Sequence, residues 1–312
     1  MEIINNIKDF NSLPSSVLTI GSYDGIHRGH HEILSAVVNH ANARDTQSVL
    51  ITFEPHPRHI LDPNSDKLSL IMGIDQKLEI IQSLSINLVY VIDFTDAFSK
   101  TSAKDFLEKS VLPNFNPEYM IVGYDHHFGN KREGSPEFLK SFCSLNNIGL
   151  EIIKPVSDDG HVISSTHIRG LIQEGFVRRA NFELGSVFGF RSTVVHGAGR
   201  GKELDFPTAN VIPLEKNQLM PKTGVYFIRG RINGLHVFGM CNFGTRPTFN
   251  EKELVLEIHF FHDDLNDLYG KEIRVEFLER IRDEKKFPSP EKLKLQLQRD
   301  KLKCLDLQGK YE

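Results

Sequence analysis

Cysteine is scarce in these 312 residues: Cys143, Cys241 and Cys304 lie far apart, odd in number and without a C-x-x-C pair. That excludes a disulfide framework and a zinc ribbon, and it fits reduced thiols in a cytoplasmic setting. Long apolar runs are missing too; none approaches the roughly 18 residues that a membrane span needs. The opening MEIINNIKDF has no basic stretch leading into an apolar one, so no signal peptide is read there. Nor is there a surplus of positive charge. The net charge is −4 and the pI near 6.4, which argues against a protein that relies on phosphate-backbone contacts with nucleic acid. There is no internal repeat and no low-complexity tract. What is present, 39% hydrophobic and 25% charged residues, is the composition of a soluble globular protein. The length suits two domains, because single cores usually stop growing before this size.

The two halves follow different patterns. Up to about residue 156, short apolar runs (Val17 to Ile20, Val49 to Phe53, Leu88 to Ile92, Met120 to Val122, Ile152 to Val156) alternate with helical spacing. Ile33, Leu34, Val37, Val38 and Ala41 share one helical face, as do Leu78, Ile81 and Leu84. Strands that recur with helices between them predict βαβ units and a parallel sheet, with ligands bound beyond the carboxyl ends of the strands. Gly21 and Gly123, each following a strand, belong to that rim. After Gly185 the runs STVVHG, GVYFIRGRI, HVFGMCNFG, LVLEIHFF and IRVEFLERI follow one another without helices, which predicts an antiparallel sheet or small barrel. The tail from Pro290 to about Lys303 reads as a charged helix with Leu293, Leu295, Leu297 and Leu302 partly buried. The domains are therefore expected at 1–185 and 186–312.

Residues 17–34, VLTIGSYDGIHRGHHEIL, carry the most specific chemistry of the first half. Glycines after a strand let the backbone approach a ligand, and the helix that follows offers unpaired N–H groups to an anion. Imidazoles there can hydrogen-bond phosphate oxygens and stabilise charge that builds up in a transition state. Zinc is the weaker alternative, since two histidines fall short of its three or four ligands and no H-E-x-x-H spacing or nearby cysteine completes the set. Histidines incidental to a glycine turn are the bland alternative.

His27-Arg28-Gly29-His30 resembles the H-x-G-H signature of the nucleotidylyltransferase superfamily. The resemblance implies a Rossmann-like domain whose two histidines bind ATP phosphates, with no covalent intermediate. Ile163-Ser164-Ser165-Thr166-His167-Ile168-Arg169 resembles the superfamily's I-S-S-T-x-I-R element, in which hydroxyls can cap a helix and Arg169 can hold a triphosphate. Val122-Gly123-Tyr124-Asp125-His126-His127-Phe128-Gly129 resembles V-G-x-D-F-x-F-G of one branch, and Thr52-Phe53-Glu54-Pro55-His56-Pro57 matches that branch's T-F-E-P-H-P. His56, fixed between prolines, reads equally well as part of a structural turn.

In the second half, VVHGAGRGKELDFPTANV (194–211) fails both glycine-loop templates: His196 and Glu203 break a P-loop, and Lys202 breaks the dinucleotide fingerprint. The acidic stretch Asp263 to Asp267 fails the EF-hand pattern at Leu268 and reads as a loop. Thr208 and Asn210 are hard oxygen donors two residues apart, suited to Mg²⁺ carrying phosphates. With Gly197, Gly199 and Gly201 ahead of them, they resemble the loop of riboflavin kinases that ends in F-P-T-A-N. Asn242 to Phe249 resembles that family's N-x-G-x-R-P-T-F, Glu257 matches the position of its catalytic glutamate, and Asp267-Leu268-Tyr269-Gly270 matches D-L-Y-G.

In order and over most of its length, the chain resembles the bifunctional bacterial riboflavin kinase/FAD synthetases. The resemblance implies that riboflavin is phosphorylated to FMN and FMN adenylylated to FAD, with ATP as co-substrate and Mg²⁺ as cofactor. It implies catalytic roles for His27, His30, Ser165, Arg169 and Glu257, and metal binding by Thr208 and Asn210. Substrate binding falls to Gly21, Tyr23, Asp24, Gly29, Gly123, Asp125, Ser164 and Thr166 in the first half, and to Gly197, Gly199, Lys202, Pro207 and Arg246 in the second. The chain departs from the pattern at Tyr23, at His126 and His127, at His167 where arginine is frequent, and at Lys202 and Asp205. Two rivals stand beside this reading. One is an H-x-G-H enzyme acting on another phosphate ester, and the other is a flavin-binding protein that has lost one activity. Partners are expected to be small molecules, with neither nucleic acid nor membrane.

Overall fold

The computed structural model describes residues 1–62, 68–196, 206–232, 234–247, 252–262 and 268–312. Two compact units are present: Met1–Leu68 with Ile74–Ser165, and Ser69–Gly73 with Thr166–Glu312. The first holds a parallel sheet of six strands, β1 (Glu2–Ile4), β2 (Ser16–Ile20), β3 (Gln47–Glu54), β4 (Leu88–Asp93), β5 (Pro117–Gly123) and β6 (Gly149–Ile153), in the order β1-β4-β3-β2-β5-β6. A two-stranded hairpin, β7 (Ser157–Asp158) and β8 (His161–Val162), follows it.

Central strands of a parallel sheet are covered on both faces and so read as unbroken apolar runs. All five residues of β2 are buried, as are six of the eight in β3. Helix α1 (Arg28–Ala43) lays Ile33, Leu34, Val37 and Ala41 on the sheet, at the spacing read from the sequence. The chain steps from β2 to β3 and on to β4, then adds β5 on the other side of β2. That reversal opens a crevice beyond the carboxyl ends of β2 and β5, where Gly21 and Gly123 stand.

Three details differ from the sequence reading. β6 lies at Gly149–Ile153, three residues ahead of the expected run. β1 was not anticipated; with three residues and one of them buried, it carries no usable period. The helix Ile74–Ser83 buries Ile81 as expected, yet it also buries Gln76 and Lys77.

In the second unit, β9 (Gly189–Val195), β10 (Ala209–Pro213), β11 (Gly224–Ile232), β12 (Leu235–Pro247), β13 (Lys252–Phe260) and β14 (Glu272–Arg282) close into an antiparallel barrel. Closure removes the unpaired edges that an open sheet would leave. Phe188, Phe190, Tyr226 and Phe277 are fully buried, with ring centroids 5.3–6.1 Å apart. The segment Ser69–Gly73 joins this unit through backbone bonds: Leu70 N to Asn217 O and Leu219 N to Leu70 O, both 2.8 Å. Five residues without periodicity gave no sign of that pairing.

The tail forms the helix Pro290–Gln308, N-capped by Ser289. Leu295 and Leu302, expected to be partly buried, are 49% and 67% exposed. The inward side instead carries Leu297, Asp300, Cys304 and Leu307, which pack toward Phe227, Met240 and Ile281 of the barrel. The expectation failed because an aspartate occupies a seam position. Arg282 satisfies it from β14 through Nε at 2.9 Å and Nη2 at 2.8 Å, and Gln296 Nε2 adds a bond of 2.9 Å. Removing one partner of a buried pair strands the other charge. Asp300→Ala should therefore cost about 3–5 kcal/mol, whereas Arg282→Met with Asp300→Leu should cost far less. Urea midpoints followed by circular dichroism test this, and an unchanged midpoint in Asp300→Ala would show that the pair does not hold the helix.

Candidate functional site

The loop between β2 and α1 turns sharply over the sheet rim. Tyr23 and Ile26 take positive φ values of 50° and 32°, and Gly25 takes 90°. Tyr23 O accepts from the Ile26 N–H at 3.4 Å, and two other backbone oxygens of the turn, those of Ser22 and Asp24, are met by side chains. Ser22 O accepts from Lys77 Nζ at 2.8 Å and from Thr52 Oγ1 at 3.4 Å. Tyr23 is buried, and its hydroxyl shares a hydrogen bond of 2.6 Å with Thr19. The ring lies edge-on to His30, with centroids 4.9 Å apart.

His27 is the N-cap of α1, and its Nδ1 accepts from the His30 N–H at 3.3 Å. An accepting Nδ1 places the imidazole proton on Nε2, which is thereby a donor. The His27 and His30 rings stack with centroids 3.7 Å apart and planes 17° from parallel. A Cβ at Gly29 would lie 3.2 Å from two atoms of the His27 ring, so the glycine gives that ring its room. Burial first, then the neighbouring His31, pushes the His27 imidazole down to about 4. Burial also holds His30 well below its ordinary value, helped by His27, His31 and Lys77. Both rings are therefore neutral near pH 7. Nδ1 of His30 is buried with no hydrogen-bond partner among the described residues, as a group awaiting a ligand would be.

The late serine motif reaches the same loop. Ser165 Oγ donates to Asp24 O at 2.7 Å across 141 residues of sequence. Asp24 is itself buried. Ser164 is half-buried, while Thr166 is exposed and lies with Arg169 in the second unit. Arg169 Nε donates to Ser69 O at 3.1 Å. His167, standing where arginine is frequent, approaches Glu183 at 3.4 Å, beside the Arg179–Glu183 pair at 2.9 Å. At the end of β5, a Cβ on Gly123 would sit 3.3 Å from Ile33 of α1 and 3.5 Å from Asp125 Oδ1. Asp125 itself is exposed. His126 stacks on Phe128 at 5.4 Å, filling an aromatic position with an imidazole that burial, then His127 and Arg132, push down to about 4. His56 caps the short helix Pro57–Leu61 through Nδ1, so its structural role is real.

In the barrel, register brings three polar residues into one row. Asn210 of β10 and Asn242 of β12 both lie directly opposite Glu257 of β13. Asn210 is buried, and Thr208 and Glu257 are half-buried. His259, on the same face of β13 as Glu257 by the two-residue period of a strand, lies with Nδ1 2.9 Å from Pro207 O. Its ring meets Phe206 edge-on at 5.0 Å. The segment ahead of Thr208 is thus pinned beside Glu257. Among the described residues, no group of three or more His, Cys, Asp or Glu is placed to hold a metal by itself. The neutral oxygens of Thr208 and Asn210 fit an ion such as Mg²⁺, which keeps waters and arrives with phosphates. Gly197, Gly199, Lys202, Asp205 and Asp267 lie outside the described residues. So does the side chain of Arg246, whose backbone pairs with Glu253 in the β12–β13 ladder.

Lys77, His259 and the row position of Asn242 were not singled out from sequence. A lysine inside an amphipathic helix and a histidine in a strand read as surface and core residues until their partners are known. Asn242 had a signal, its place in a matched motif, but nothing placed it opposite Glu257.

The geometry agrees with what the chain is similar to. A family model described as FAD synthetase matches residues 9–167, and one described as riboflavin kinase matches 184–307. The bifunctional riboflavin kinase/FMN adenylyltransferase of Bacillus subtilis is 31% identical over 93% of this chain and 92% of its own length. Its counterpart from Escherichia coli K12 is 31% identical over 99% and 98%. A crystal structure from Streptococcus pneumoniae, titled a macrolide-efflux protein, superposes with a TM-score of 0.87 at 31% identity, covering 96% of both chains. Among the described residues of this chain, no helix is long and apolar enough to cross a membrane. With both halves matched in order and nearly end to end, the chain belongs to the family of bifunctional riboflavin kinase/FMN adenylyltransferases.

Proposed function

We propose a division of labour within a bifunctional transferase that phosphorylates riboflavin to FMN with ATP and then adenylylates FMN to FAD with a second ATP. In the kinase step, Glu257 takes the proton of the ribityl 5′-hydroxyl. The freed oxygen attacks the γ-phosphorus of ATP, and ADP leaves. Thr208 and Asn210 would hold Mg²⁺, and His259 fixes the Pro207 segment that leads into them. When bound, the ion offsets charge on the phosphate oxygens. Roles for Gly197, Gly199, Lys202 and Arg246 in this step rest on their matched positions alone.

In the adenylylation step, an oxygen of the FMN phosphate attacks the α-phosphorus of ATP, and pyrophosphate leaves. A phosphate nucleophile is already ionised near neutral pH, so no general base is needed. His27 offers its Nε2–H and His30 its ring edge to the phosphates, as neutral donors fixed before the reaction. Gly21, Gly29 and Gly123 admit the substrates at the rim, and Tyr23, Asp24, Asp125 and Ser164 surround them. Arg169 and Thr166 take part through the serine motif to which they belong. The observation that carries this reading is the bond from Ser165 Oγ to Asp24 O, which ties the serine motif to the turn ahead of α1 across 141 residues of sequence. The domain division at residue 185, a cytoplasmic setting for the three free thiols, and the absence of a nucleic-acid partner belong to the same proposal.

The two sites should fail separately. Asn210→Asp is expected to abolish FMN formation and leave conversion of FMN to FAD intact. His30→Ala should do the reverse, lowering FAD formation about 10²–10³-fold, the usual loss for a preorganised donor. Chromatography of flavins from riboflavin or FMN with ATP and Mg²⁺ reads both, and loss of both reactions in a folded variant would rule out two independent sites.

Acid should weaken the fold through the same histidines. The folded His27 has a pKa of about 4 against 6.5 unfolded. Below pH 6.5 the unfolded chain therefore takes up the proton first, and stability falls as pH drops from about 6.5 toward 4. At pH 5, His27 alone should remove about 2 kcal/mol relative to pH 7.5. Urea midpoints at the two pH values, read by circular dichroism because the chain has no tryptophan, should differ, and His27→Gln should narrow the gap.

A further inference from the structure

Lys77 points into the protein from the helix Ile74–Ser83 and is 4% exposed. Lysine is almost never this buried without compensation. Its Nζ donates to Ser22 O at 2.8 Å, and the carboxylates of Asp24 and Glu54 favour its charged form against burial. Ser22 and Asp24 belong to the turn after β2, and Glu54 ends β3. One ammonium thus links the carboxyl ends of two adjacent strands to a helix. Ser22 O meets Lys77 while Asp24 O meets Ser165, so the turn is held from two directions.

We propose that Lys77 is a positioning residue for FMN adenylylation: its ammonium fixes the Ser22–Asp24 turn, and through it the stacked His27–His30 pair, in the geometry that receives the triphosphate. This rests on the assignment of His27 and His30 to that reaction. Electrostatics adds a second consequence. The groups facing His30 are Tyr23 from the turn, His27 and His31 from α1, and Lys77 from the helix Ile74–Ser83. Those facing Lys77 are Asp24 and Glu54. The positive charge of Lys77 opposes protonation of His30, which keeps the ring a neutral donor as the solution becomes acidic.

Three full-chain variants separate geometry from charge. Lys77→Gln keeps a donor for Ser22 O without the charge, Lys77→Arg keeps the charge, and Lys77→Met keeps neither. FAD formation from FMN is measured from pH 5 to 8.5, native resonance dispersion of the first unit's buried groups serves as the control for folding because FMN formation belongs to the second unit, and histidine ring resonances are titrated without substrate. Without the charge, His30 protonates more easily, so Lys77→Gln and Lys77→Met should move the acid limb of FAD formation and the His30 titration to higher pH. At pH 7 their FAD formation should fall by about tenfold or more, with FMN formation unchanged. Lys77→Arg should keep the wild-type acid limb at a reduced rate. An unmoved limb and titration in Lys77→Gln overturns the proposal whatever the rate, and so does loss of the first unit's native resonance dispersion in all three variants, which marks a residue needed only for folding. If the wild-type chain makes no FAD while the His30 titration still moves in Lys77→Gln, the assignment of the histidines to adenylylation falls and the coupling to Lys77 stands.

Discussion

The turn between β2 and α1 depends on one constraint: Ser22 O and Asp24 O lie outside the strand and helix ladders and are satisfied by side chains. Side chains from three distant parts of the sequence do this. Thr52 of β3 and Lys77 of the helix Ile74–Ser83 serve Ser22 O, and Ser165 serves Asp24 O. At the end of the turn so held, His27 caps α1 and stacks on His30. The histidine geometry is therefore a consequence of how the rest of the unit folds around the loop, and the H-x-G-H tetrapeptide alone does not produce it.

The barrel solves its corresponding problem by register. Strand pairing is periodic, so one correct alignment of β10, β13 and β12 sets Asn210, Glu257 and Asn242 side by side. A slip of one residue would turn Glu257 to the other face. The bond between His259 and Pro207 O ties the irregular segment to the same strand. Both units thus place polar groups on a rigid scaffold and use a buried side chain to hold the adjoining loop, which is how a preorganised site avoids reorganising during reaction.

Burial explains the character of the charges. His27 and His30 are neutral because water is excluded from them, and Lys77 stays near them because Asp24 and Glu54 offset its desolvation. The Arg282–Asp300 pair shows the same logic away from the sites: a charge inside a seam is tolerated where a partner meets it with good geometry.

Periodicity and motif spacing determined much by themselves. Five of the six parallel strands, the face of α1, the barrel and the tail helix were legible, because alternation and 3.6-residue spacing are local properties of the chain. The residues His27, His30, Ser165, Thr208, Asn210 and Glu257 were legible as motifs. The tertiary structure alone decided that Ser165 meets Asp24, that Lys77 turns inward, that Asp300 faces the barrel while Leu295 and Leu302 face away, and that Ser69–Gly73 pairs in the second unit. Each is a contact between residues distant in sequence, or a polar group whose burial is acceptable only once its partner is in place. A sequence pattern scores such a residue by its own polarity, and the fold places it by the partner it finds.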